Sequence, residues 1–310
     1  MKKLIMLFVC MFLCVGCGEE KEVIPTNTMS IINEEGISFD VVKIETTSKI
    51  KSSMPGSLYY SNDETNKVYI DMVLEVTNNT DKEIECDELF EVQAKSGNGI
   101  QAADVMFLKE SDGYSNISAY ESLMSLEKAR VHVAISVLEA EEQHNIELKA
   151  NGEVYKYEYT LNEAIGDYEA INKDQVIKHE NVSEVTLKDV TYTSDLLPQD
   201  TSGAYRHYPI DSEENIYLCI NFQITNLGSN EKDIDKFMAV KAVYDQTYEY
   251  DGFMVVEDED LKGFSSYEDI TPLTTRNCYM LIEVPKVVQE KSLQLKIFMN
   301  GQDYIYEGSK

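Results

Sequence analysis

An internal duplication constrains this chain more than any other feature. Val68-Tyr-Ile-Asp-Met-Val-Leu-Glu-Val-Thr-Asn78 lies over Ile216-Tyr-Leu-Cys-Ile-Asn-Phe-Gln-Ile-Thr-Asn226 without a gap. The same spacing carries Asp87–Ala94 onto Asp235–Ala242, and a spacing one residue shorter carries Val131–Val137 onto Cys278–Val284 and Ile146–Lys149 onto Leu293–Lys296. Each copy then closes on Asn-Gly and two alternating tyrosines: Asn151, Gly152, Tyr155, Tyr157, and Asn300, Gly301, Tyr304, Tyr306. A weaker match joins Val42–Ser48 to Lys188–Ser194 upstream. Two copies make a tandem pair; a solenoid needs at least three units to build a shared core.

The repeated blocks have a period of two. Val68, Ile70, Met72, Leu74 and Val76 alternate with Tyr69, Asp71, Val73 and Glu75, and Ile216, Leu218, Ile220, Phe222 and Ile224 occupy the same face of the second copy. Val131, Val133, Ile135 and Val137 form another row, matched by Cys278, Met280, Ile282 and Val284. Alternation with one apolar face predicts half-buried β-strands. Asn-Gly favours the left-handed backbone of a tight hairpin. Many short strands separated by turn residues predict an all-β chain of sandwiches, because a single sheet would leave its apolar face wet. The polar segments Lys49–Asn66 and Asp195–Asn215 read as long loops, and 162–181 as a linker with a short helix around Glu163 to Ile171.

The N-terminus predicts export. Lys2 and Lys3 precede an apolar run from Leu4 to Val15, and Gly16 places a small residue before Cys17. That run is too short to span a bilayer as a mature helix. The Cys-Val-Gly-Cys ending at Cys17 resembles a bacterial lipoprotein signal, with Cys14 where Leu is usual. The resemblance implies a signal peptide over 1–16, lipidation of Cys17, and a tether over 17–30 that holds the chain on the extracytoplasmic face of the cell membrane. The formal charge of −29 repels nucleic acid and anionic headgroups, so no nucleic acid is expected and attachment falls to the lipid. Beyond Cys17 only the scattered Cys86, Cys219 and Cys278 remain, which is no disulfide framework.

The Tyr69-containing strand ending in Thr-Asn78, the Phe90 strand that follows, and the late apolar strand before an Asn-Gly hairpin resemble immunoglobulin-like domains of Gram-positive bacterial lipoproteins. Those domains are similar in fold to a mycobacterial secreted antigen. The resemblance covers roughly 31–160 and 182–308, and implies two tandem immunoglobulin-like β-sandwich domains, 31–161 and 182–310. The family has no catalytic residues to carry over. Two antibody hallmarks, a core Trp and an inter-sheet cysteine pair, are missing from the sequence.

Function must therefore come from a site. His132, His144, His179 and His207 sit in no catalytic motif and read as exposed or loop residues. Cys219 is expected on a polar strand face and Cys278 in a core. Glu257–Asp260 reads as a solvated acidic loop rather than a cation site, since the first copy lacks such a run. No catalytic residue, metal or cofactor is expected. Tyr59, Tyr60, Tyr205 and Tyr208 lie in corresponding long loops and are the candidate partner-binding residues, because exposed Tyr combines contact area with a hydrogen-bonding tip. The expectation is a non-enzymatic envelope lipoprotein that binds or adheres to an envelope or extracellular protein, or serves as an accessory subunit. The alternative is a small-ligand or cation-binding lipoprotein serving a transporter or sensor.

Overall fold

In the computed structural model, which describes residues 30–308 except 63, 103 and 164, each alternating row becomes a strand. The export segment, Cys17 and the tether up to residue 29 lie outside the described residues. In chain order the main strands of the first half are β1 (Ile37–Thr47), β2 (Lys67–Asn78), β3 (Glu91–Ser96), β4 (Asp104–Ser111), β5 (Lys128–Leu138), β6 (Gln143–Ala150) and β7 (Glu153–Thr160). The second half repeats them as β8 (Ser183–Thr193), β9 (Asn215–Asn226), β10 (Ala239–Tyr244), β11 (Phe253–Glu257), β12 (Thr275–Pro285), β13 (Leu293–Met299) and β14 (Gln302–Glu307).

The chain is nearly all β. Sheet β1-β2-β5-β4 faces β7-β6-β3 across one core, and β8-β9-β12-β11 faces β14-β13-β10 across another. Ile70, Met72, Leu74 and Val76 meet Val131, Val133 and Ile135 in the first; Leu218, Ile220, Phe222 and Ile224 meet Cys278, Met280 and Ile282 in the second. Burying one such side chain fully is worth about 1.5–3 kcal/mol, so these rows hold the sheets face to face. The duplication extends to irregularities. Both first strands slip register at the same place, between Val41 and Lys43 and between Leu187 and Asp189, as a bulge does. Asn151 and Gly152, like Asn300 and Gly301, have positive φ, which lets each hairpin follow the strand twist.

A buried asparagine ties each sandwich at the same end. Asn78 Nδ2 donates to the carbonyls of Lys82 and Leu123, and Asn226 Nδ2 to those of Asn230 and Ile270. Both residues are fully buried. The long loops fold into small hairpins, Lys49–Lys51 with Tyr59–Ser61 and Asp195–Leu196 with Tyr208–Pro209, each capping a satellite apolar cluster on the outer sheet face.

The expected linker helix is not formed. Ile165–Gly166 instead pairs antiparallel with β1, Glu169–Ala170 pairs parallel with β14, and Val176–His179 pairs with β8. The unpaired edges of β1 and β14 offer ready backbone partners, and sheet addition satisfies the linker amides where a short helix would leave most of its own unmet. The linker thus stitches both sandwiches. Among the described residues no helix is long and apolar enough to cross a membrane.

Candidate functional site

The two sandwiches meet through sheet faces that the alternation marked as polar. The outer face of β1, β2 and β5 packs against the outer face of β10, β13 and β14. Arg130, on β5, is the central tie. Its Nε meets Glu75 at 2.9 Å, its Nη1 meets Asp303 at 3.1 Å, and its Nη2 donates to the Gly301 carbonyl at 3.1 Å. The guanidinium lies 4.6 Å from the Phe298 ring centroid, and Tyr114 meets that ring edge-on at 5.2 Å. Gly301 is held close here, because a Cβ at its position would stand 3.0 Å from the Tyr114 hydroxyl.

Arg130 belongs to a ladder of alternating charge that weaves through both halves. Glu75 and Arg130 are followed by Asp303, then Lys43 at 3.9 Å, Glu45 at 3.1 Å from Lys43, and Lys296 at 2.8 Å from Glu45. Glu249 and Lys241 continue it, 2.9 Å apart. Burial works against the Lys43 charge, but Glu45 and Asp303 outweigh it and hold the ammonium well above the usual lysine range. Burial likewise favours a neutral Glu45, and Lys43 with Lys296 overcomes it, keeping the carboxyl well below the usual carboxylate range. Both residues are therefore charged at neutral pH, as buried ions must be when each has a partner of opposite sign.

Beside the ladder His132 is buried between two carboxylates. Its Nδ1 meets Asp71 at 2.9 Å and its Nε2 meets Glu110 at 2.7 Å, so both ring nitrogens donate in the imidazolium form. Burial opposes that charge, and Asp71 and Glu110 more than compensate, pushing the pKa up to about 9. Glu110 also accepts from the Ser53 amide and hydroxyl, both at 2.8 Å, and that hydroxyl accepts from Arg130 at 3.0 Å. The imidazole, Asp71 and Glu110 Oε1 are thus held by their neighbours, while Glu110 Oε2 is buried without a hydrogen-bond partner among the described residues.

Between the faces lies a cavity of about 360 Å³. Lys43, Glu45, Lys296 and Asp303 form its charged floor, and Met54, Leu58, Tyr59, Met238, Phe253 and Phe298 line its apolar walls. Lys51 and Asp251 pair across its rim at 2.5 Å. A wider polar groove of about 840 Å³ opens elsewhere along the interface, reaching Glu75, Arg130 and Asp303. Among the described residues no three His, Cys, Asp or Glu side chains are grouped to hold a metal ion.

Comparison with known proteins gives distant likeness only. No family model matches the chain, and no curated protein matches it. Among solved structures, an uncharacterized β-sandwich protein of Clostridium difficile 630 is 24% identical, covering 46% of this chain and 95% of its own, with a TM-score of 0.43. A candidate lipoprotein of Bacillus subtilis subsp. subtilis strain 168 is 16% identical with a TM-score of 0.28, over 44% of this chain and 39% of its own. Likeness this remote says nothing of function.

The four loop tyrosines divide into two kinds. Tyr60 and Tyr208 occupy equivalent positions and pack on the satellite clusters; the Tyr60 hydroxyl accepts from the Ala119 amide, and Tyr208 lies 5.8 Å from Phe253 and 6.1 Å from Phe264. Tyr59 is exposed on the cavity wall beneath Lys49, and Tyr205 is exposed beside His207. Only Tyr59 of the four lines the cavity.

Other expectations need correction. His132 and His144 are buried, not exposed: the second sandwich covers His132, and His144 alternates onto the inner face of β6 with Ile146, Leu148 and Ala150, its Nε2 2.7 Å from the Glu141 carbonyl. Cys219 does face outward, yet it is buried in the satellite cluster with Leu196, Tyr217 and Phe264. Glu257 is no loop carboxylate: it ends β11, buried, and accepts from the Gln199 amide and side chain. Cys278 is in the core as expected. Sequence reasoning missed Lys43, Glu45, Arg130, Lys296 and Asp303. For Arg130 the signal lies in a mismatch between the copies, since Arg130, like His132 and Asp71 beside it, stands where the second copy has another residue: Asn277, Tyr279 and Cys219; Lys296 carries no such signal, because Lys149 matches it.

Proposed function

We propose that this chain is a non-enzymatic, lipid-anchored binding protein of the cell envelope, and that the cleft between its sandwiches is the binding seat. One observation carries this reading: a cavity of small-ligand size, with an apolar wall and a few fixed charges, closed by residues from both halves. Strand order supports the immunoglobulin-like reading, because β1-β2-β5-β4 against β7-β6-β3 follows the A-B-E-D and G-F-C order of constant-type immunoglobulin sandwiches. The interlocked Asp71–His132–Glu110–Ser53 cluster leaves no free nucleophile paired with a free base, in keeping with binding rather than catalysis.

The seat is tested by a thermal-shift series on the unaltered chain and on Met54→Trp, which fills the cavity. A ligand that raises Tm for the first and not the second supports the cleft. Equal shifts in both place binding elsewhere. The anchor is tested by Cys17→Ala, which should release the protein to the medium or leave it uncleaved; a processed, membrane-bound variant would exclude lipidation as the anchor.

A second reading, protein adhesion, is favoured by a different observation. Tyr120 and Tyr267 are 96% and 91% exposed, and Leu126 and Leu273 are 75% and 77% exposed, at equivalent points of the two sandwiches. Both leucines sit at positive φ, their amides bonded to the carbonyls of Asn78 and Asn226. Nothing in the packing calls for these apolar groups twice. Loss of cell-surface binding in Tyr120→Ser/Tyr267→Ser with cleft ligand binding intact would assign adhesion to these ledges.

A further inference from the structure

The charge ladder has a slack step, and it faces the cavity. Most of the buried rungs close at 2.8–3.1 Å, whereas Asp303 and Lys43 stand 3.9 Å apart. Both side chains are well shielded, at 9% and 15% exposure. Neither is fully engaged by the other. Asp303 turns Oδ2 to Arg130 Nη1 at 3.1 Å and leaves Oδ1 facing Lys43 across the 3.9 Å gap, and the Lys43 ammonium is held by ion pairs to Glu45 and Asp303. The Tyr168 hydroxyl is buried without a hydrogen-bond partner among the described residues, and its electrostatic neighbours are Glu45, Lys43 and Asp303. Lys43 and Asp303 therefore meet loosely at the cavity floor, with Tyr168 among their electrostatic neighbours.

Charge balance limits what can fill that place. The ladder alternates in sign, so a lone anion or a lone cation inserted there would bury an uncompensated charge, at heavy cost in a shielded site. A molecule carrying both signs a few ångströms apart adds no net charge and meets both rungs. The neighbouring walls are apolar and sulfur-rich, with Met54, Met238, Tyr59, Phe253 and Phe298, and suit a large apolar substituent.

Resting on the cleft reading above, we infer that the cavity takes a small zwitterion with an apolar side chain, an amino acid of the leucine or phenylalanine kind, its carboxylate on Lys43 and its ammonium on Asp303. The test is calorimetric titration of the full chain with L-phenylalanine, 3-phenylpropanoate, which lacks the ammonium, and 2-phenylethylamine, which lacks the carboxylate. Saturable phenylalanine binding at least tenfold tighter than either analogue is expected, lost in Lys43→Met and in Asp303→Asn. The ratio is read on the unaltered chain, so a variant that fails to fold does not remove the test. Equal binding of an analogue that Met54→Trp abolishes would overturn the zwitterion and leave the cleft standing. No binding of any of the three would overturn this inference, while cleft binding of an unrelated ligand in the thermal-shift series would still uphold the seat.

Discussion

The outer face of β2, β4 and β5 in the first sandwich and its counterpart on β9, β11 and β12 share a backbone and little else. Asp71, His132 and Arg130 in the first become Cys219, Tyr279 and Asn277 in the second, while the glutamate at Glu110 is kept as Glu257. The inner rows of the same strands stay apolar in both. What differs is cover. Each face has a satellite cluster under its own hairpin, Tyr69 and Leu108 with Ile50 in the first and Cys219, Tyr217 and Phe264 with Leu196 in the second; the first alone also lies under β10, β13 and β14 and carries ions joined across the boundary. A duplicated fold keeps what packs it and changes what touches a neighbour.

Removing Arg130 should break this comparison most sharply. Arg130→Ala takes the nearest cation from half-buried Glu75 and buried Asp303, leaving them the looser Lys128 at 3.5 Å and Lys43 at 3.9 Å, and we expect a loss of about 3–5 kcal/mol, the cost typical of breaking a buried pair. Asn277→Ala at the equivalent site should cost about 1 kcal/mol or less, because Glu257 keeps the Gln199 donors. Denaturant midpoints of the two variants decide it, and equal losses would erase the asymmetry.

Next in size is the truncation of the two buried asparagines. Asn78→Ala and Asn226→Ala each strand buried carbonyls and should each cost about 1–3 kcal/mol. Because this feature is shared, the two losses should agree; a wide gap between them would show that the sandwiches are not stabilised alike.

On the alkaline side of neutrality a pH effect should come from the first sandwich. The folded His132 pKa is raised to about 9, above the ordinary histidine value near 6.5. Its contribution is therefore fully present below about pH 6.5 and disappears as pH rises through 9. Chemical denaturation between pH 6.5 and 9 should show stability falling with pH, and His132→Gln should flatten that slope. Tyr279→Phe, the equivalent position, should leave the slope in place. The smallest effect is expected from Lys51→Ala: its exposed pair with Asp251 should change the unfolding midpoint little, an effect read best at low salt.

Much of the fold was legible because alternation and turn chemistry are local. The row from Val68 to Val76 and the Asn-Gly turns declared their roles within a dozen residues. The site was not, because Arg130 and Asp303 are brought together only by the packing of one sandwich on the other, which no periodicity records. His132 alternates onto a polar face, and polar usually means wet; only the neighbouring sheet makes it buried. The linker misled for a related reason. Its residues have no strong strand pattern, and the free edges of β1 and β14 chose their conformation for them. Tyr60 and Tyr208, two of the four loop tyrosines, take equivalent places and cover apolar clusters, and of the four only Tyr59 reaches the cleft.

The central claim is that the two sandwiches are locked face to face by ions drawn from both. A double-mutant cycle on Glu45→Gln and Lys296→Met, read by equilibrium unfolding, tests it directly. A coupling of about 1 kcal/mol or more is the predicted result, since contacting buried charges do not act independently. Strict additivity of the two losses would mean that these side chains do not meet, and that the cleft between the sandwiches is not built as described.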